Sequence, residues 1–94
     1  MEVNELIKYI SDLSIIDKLK LGISVFSSSY INTSYNKKKI FERMDNQLKK
    51  LDSSYNMTFS GIYNNKLIMF LTSRITDFSK EEQNKVAMYL VNSI

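Results

Sequence analysis

Between Asn56 and Ile75 the chain reads NMTFSGIYNNKLIMFLTSRI, and the way this stretch folds decides the class of the whole protein. Two runs rich in apolar, aromatic and β-branched residues flank the pair Asn64-Asn65. In the first, Met57, Phe59, Gly61 and Tyr63 alternate with Thr58, Ser60 and Ile62. The second, Lys66–Ile75, contains the longest unbroken apolar run in the chain, Leu67–Leu71. Asparagine tolerates positive φ, so Asn-Asn can form the two-residue primed turn that closes a β-hairpin. A hairpin is therefore the expectation here. The rival is a helix, because Phe59, Ile62, Tyr63, Leu67, Phe70 and Leu71 also fit helical spacing. Against it stand Thr58, Ser60, Gly61, Asn64 and Asn65, all indifferent or poor helix formers.

Outside this stretch the pattern is helical. Val3, Leu6, Ile7, Ile10 and Leu13 make one apolar stripe. Ser14 can cap a second helix, whose seam is Ile16, Leu19, Ile23, Phe26 and Tyr30. Gly22 inside that seam points to a close helix crossing. Asn32–Asn36 reads as the connection, and Ser34 or Asn36 can cap a third helix over 37–53. Its seam is Phe41, Met44, Leu48 and Leu51, extending to Tyr55. After a turn at 76–78, Ser79 and Glu82 form a capping box before a last stripe of Val86, Ala87, Leu90, Val91 and Ile94. The expected architecture is α+β, with three helices, a hairpin and a C-terminal helix in a single domain spanning 1–94. The alternative is an all-α bundle.

Charge is unevenly placed. The net charge is +3, yet residues 36–75 carry eight Lys and Arg against three acids, while the segments on either side are slightly acidic. At 100° per residue, Lys39, Arg43, Asn46 and Lys50 share one sector of the third helix, opposite its seam, with Lys37, Lys38 and Gln47 nearby. Lys38–Glu42 and Asp45–Lys49 are ordinary i,i+4 pairs, whereas Arg43 and Lys50 have no acid four residues away. A basic stripe of this kind suits an anionic partner, although a solvated lysine face accounts for the charge equally well.

Chemistry is restricted by what the chain lacks. It contains no Cys and no His, which removes disulfides, thiolate ligands and the commonest general base and metal ligand. There is no nucleophile elbow and no Gly-rich phosphate loop, and the serine triplet 27–29 has no activating base. The expectation is a protein that is not an enzyme and needs no cofactor or metal. No apolar run approaches the length of a membrane span and neither end resembles a targeting segment, which places the chain in the cytoplasm, away from membranes.

The order helix, helix, helix, hairpin, helix, with a basic third helix, resembles the winged helix-turn-helix family of DNA-binding domains. The resemblance covers nearly the whole chain and rests on element order and charge placement. It implies that the third helix enters the major groove of double-stranded DNA while the hairpin wing touches the backbone or minor groove. Carried over, Lys37, Lys38, Lys39, Arg43, Asn46, Gln47 and Lys50 become the helix contacts, and Tyr63, Asn64, Asn65 and Lys66 the wing tip. Arg43 can take guanine, Asn46 or Gln47 adenine, and the lysines phosphate. The expected function is regulation or an accessory role on a plasmid or phage type replicon, with a homodimer formed through the terminal helices. If 57–75 is helical, the competing reading moves ahead: a small protein-interaction domain of the phage-inhibitor or bacteriocin-immunity type.

Overall fold

The computed structural model describes residues 1–55, 62 and 64–94, and the described residues form five helices and no strand. They are α1 (Val3–Ser11), α2 (Ile15–Ser27), α3 (Lys37–Leu51), α4 (Lys66–Thr76) and α5 (Lys80–Asn92). They pack into a globule of about 34 × 25 × 21 Å.

The hairpin and its wing are overturned. Lys66–Ile75, expected as the second strand, lies within α4, and Asn65, expected in a primed turn, is the N-cap of that helix. The Asn65 side-chain oxygen accepts from the Ile68 amide at 3.1 Å. An asparagine before an apolar run satisfies a helix start as well as a turn, and packing decides between them. Ile68, Leu71, Thr72 and Ile75 are buried at helical spacing, while Lys66, Met69, Phe70, Ser73 and Arg74 face outward. As a strand, 66–75 would have divided these apolar residues between two opposite faces. The fold is all-α and the winged-helix architecture does not hold. The first expected strand, Met57–Tyr63, lies outside the described residues except for Ile62, which is buried.

The centre of the molecule is α2. Residues 21–26, Leu21 to Phe26, are buried without interruption, so this helix has no solvent face over nearly two turns. It packs against α3, α4 and α5, and α5 in turn carries α1 and touches α4. Gly22 supplies the close crossing that its position suggested: a Cβ there would overlap the Met44 sulfur of α3 and stand 2.9 Å from its methyl. Two seams run short of expectation. The α2 helix stops at Ser27, leaving Tyr30 beyond it and exposed, and Leu51 at the end of α3 is also exposed.

The α2 helix ends in its serine triplet. Ser27 Oγ donates to the Ser24 carbonyl at 3.1 Å, and Ser28 takes an extended conformation as C-cap. Hydroxyls that bond locally to backbone are poor at continuing a helix, so the chain leaves it here. The loop that follows is held from outside. Buried Gln83 of α5 accepts from the Asn32 amide at 2.9 Å and the Asn32 side chain at 3.0 Å, and donates to the Ile75 carbonyl at 3.2 Å. Asn84 accepts from the Ser34 amide at 2.9 Å. Asn36, of the two expected caps, bonds the Lys39 amide and starts α3. The Ser79–Glu82 capping box forms as expected at the head of α5.

Candidate interaction site

A groove of about 470 Å³ opens between the end of α2 and α4, lined by Ser24, Ser27, Ser28, Ser29, Tyr30, Met69, Thr72, Ser73 and Thr76. Its existence follows from the local chemistry just described. Breaking α2 at Ser27–Ser28 turns the chain away, and the outer side of α4 is exposed at Met69 and Ser73. The floor is a hydroxyl pair, Ser24 Oγ and Thr72 Oγ1, 2.8 Å apart and buried. Thr72 Oγ1 also donates to the Ile68 carbonyl at 2.8 Å. A hydroxyl carries one proton, so Ser24 is the donor to Thr72.

The rim combines apolar surface with cations. Tyr30 is 79% exposed, Met69 42% and Phe70 48%, high values for such large apolar groups. Tyr30 and Met69 both line the groove. Phe70 lies a quarter-turn round α4 from Met69, with the Arg74 guanidinium stacked 5.3 Å above its ring. Lys66 occupies the sector between them. At the opposite wall the Lys37 ammonium donates to the Ser28 carbonyl at 2.7 Å, a cation at the negative end of α2. Asp77, the exposed C-cap of α4, is the acid closest in sequence to the groove wall.

The residues expected to contact DNA lie on α3 and at the start of α4. Lys38, Lys39, Arg43, Asn46 and Lys50 are exposed on α3, and Gln47 is half-buried. Arg43, which has no acid at i±4, donates to the Ile94 carbonyl at 3.0 Å instead. Lys37 is half-buried and serves the end of α2. Lys49 pairs with Asp45 at 2.9 Å, while the other Asp45 oxygen is buried with no hydrogen-bond partner among the described residues. Asn65 is spent on capping α4, Asn64 and Lys66 are exposed beside it, and Tyr63 lies outside the described residues. One carboxyl in the region is perturbed: the Ser54 hydroxyl and amide both donate to Asp52 and hold it below its usual range.

Sequence reading missed the groove. Its walls come from segments about forty residues apart, and Tyr30 read as a core residue on an extended α2. The signal that was present is the apolar run Leu67–Leu71, which is too long for one helical face and therefore exposes Met69 and Phe70. Among the described residues no three His, Cys, Asp or Glu side chains come together to hold a metal ion, and no helix is long and apolar enough to cross a membrane. Comparison with family models, with curated proteins and with solved structures found no match.

Proposed function

We propose that this chain is a small protein-interaction domain, of the kind that inhibits or shields a partner by occupying its surface. The observation that carries the reading is the exposure of Tyr30 and Met69 on the walls of one groove, with Phe70 exposed beside Met69 on the outer face of α4. Aromatic, methionine and arginine side chains are the ones enriched where proteins meet, and exposed tyrosine loses little entropy when it is covered. The groove wall is also fixed in advance: Gln83, Asn84 and Lys37 hold the 28–36 loop from three directions. Preorganisation of that kind lowers the cost of binding.

The test is affinity selection with the whole chain and two variants, Tyr30→Ser with Met69→Glu on the groove and Lys39→Ala with Lys50→Ala on α3. A protein held by wild type and by the α3 variant, and released by the groove variant with its helix content intact, supports the reading. Retention by the groove variant refutes it. A second reading, binding of double-stranded DNA by α3 alone, is favoured by the exposed Lys38, Lys39 and Lys50. It requires affinity that falls steeply with salt and a slope flattened by Lys39→Ala and Lys50→Ala. A wild-type slope in the α3 variant would dismiss it.

A further inference from the structure

We infer that the α2–α4 groove receives the indole of a tryptophan on a protein partner, with its N–H donated to the Ser24–Thr72 floor; this rests on the interaction-domain reading above. The protons of the lining select the chemistry. A hydroxyl carries one proton, and the floor has spent both of its own: Ser24 donates to Thr72 at 2.8 Å, and Thr72 to the Ile68 carbonyl at 2.8 Å. Two other lining hydroxyls are committed in the same way, Ser27 to the Ser24 carbonyl at 3.1 Å and Thr76 to the Ser73 carbonyl at 2.6 Å. What these four retain for a guest is lone pairs. The hydroxyls with a proton to offer, on Ser28, Ser29, Tyr30 and Ser73, are exposed or half-buried, where water reaches them. The floor therefore accepts and does not donate.

Charge and shape narrow the guest further. No charged side chain lines the groove. A carboxylate would meet no donor at the floor, and an ammonium would be desolvated there without a counter-charge. A neutral amide or hydroxyl brings an acceptor of its own, which the floor cannot satisfy. Among uncharged side chains, only indole combines a full-strength N–H donor with no acceptor. Its apolar body matches the walls, where Tyr30 and Met69 offer an aromatic ring and a thioether, both favourable neighbours for an aromatic guest. The volume of about 470 Å³ lies in the roughly 300–1,000 Å³ range of sites that enclose a small ligand, which suits one two-ring side chain. Tryptophan is also among the side chains that carry most binding energy where proteins meet. The 94 residues of this chain include no tryptophan, so a second copy of them cannot supply the guest and the partner is a different protein.

The experiment titrates the ¹⁵N-labelled full chain with blocked Gly-Trp-Gly up to about 2 mM and follows amide chemical shifts. In a parallel peptide 3-benzothienylalanine replaces tryptophan, keeping the two-ring shape with sulfur in place of the N–H; in two others the replacement is Glu or Lys. The tryptophan peptide is expected to shift Ser24, Tyr30, Met69, Thr72 and Ser73. Removing the N–H should weaken it about two- to tenfold, the loss of one hydrogen bond, and the charged peptides should leave these amides in place. Tyr30→Ser and Met69→Ala, both at exposed positions, should each weaken the tryptophan peptide several-fold with unchanged circular dichroism. The inference is overturned if the tryptophan peptide does not move the groove, or if the benzothienyl, Glu or Lys peptide binds as tightly. It is also overturned if the same amides shift with the concentration of the chain alone, which would seat a second copy there. A partner that needs Tyr30 and Met69 but still binds after its tryptophans are replaced would preserve the interaction-domain reading while removing this one.

Discussion

At position 22 a single missing methyl group lets two helices meet. The crossing of α2 and α3 is tight because Met44, fully buried, occupies the space that a side chain at Gly22 would need. Gly22→Ala should therefore destabilise the fold by about 1–3 kcal/mol through overpacking, less the roughly 1 kcal/mol gained in helix propensity. Thermal or urea denaturation reads the difference, and a more stable variant would show that Met44 repacks freely. Shortening Met44 to Val in the same chain should recover part of the loss. The hydroxyl pair under the groove permits a sharper test. Thr72→Val strips the acceptor from buried Ser24, whereas Ser24→Ala leaves Thr72 its own bond to the Ile68 carbonyl. Thr72→Val should cost about 1–3 kcal/mol, more than Ser24→Ala, because it strands a desolvated donor. The double variant should cost less than the sum, by a coupling of about 0.5–3 kcal/mol. Strict additivity would mean that the two hydroxyls do not serve each other.

Among the elements, α4 shows what the sequence could express and what it could not. The helices α1, α2, α3 and α5 were legible because polar residues interrupt their apolar stripes at every turn, and because Ser14, Asn36 and Ser79 cap three of them. No such interruption exists in Leu67–Leu71, so the period of the run stays undefined until a neighbour selects one face. The buried surface of α2 makes that selection, and it does so at a distance of more than forty residues. Asn65 carried the same ambiguity, since one side chain serves a hairpin turn and a helix cap. Its observed role gives a direct prediction. Asn65→Ala should cost about 1 kcal/mol and Asn65→Ser close to nothing, measured by chemical denaturation. Equal stability of all three would mean that the cap contributes nothing to α4. The candidate site was harder to read than the helices for the same physical reason: the serine triplet and the exposed Met69 and Phe70 are visible in the chain, but their meeting is tertiary. The basic sector of α3 follows from 100° spacing alone, yet spacing gave no sign that Arg43 reaches the end of the chain or that Lys37 steadies α2.

For the molecule as a whole, the decisive arrangement is one helix packed by three others, with α1 held chiefly by α5 among the described residues. That asymmetry ranks the parts by how much must come undone to expose them. The amides of residues 21–26 can meet water only when α3, α4 or α5 moves off, which amounts to losing the core. Those of α1 need only a partial detachment from α5. Hydrogen–deuterium exchange should therefore show the α2 amides exchanging at the free energy of global unfolding, with α1 exchanging faster by a sub-global opening. Uniform protection across all five helices would contradict the ranking. The groove spans this gradient, with Ser24 on the slowest helix and the 28–30 loop at the surface. Partner docking would then tie a surface loop to the most persistent part of the fold, and slower exchange at the Tyr30 amide would report occupancy of the groove.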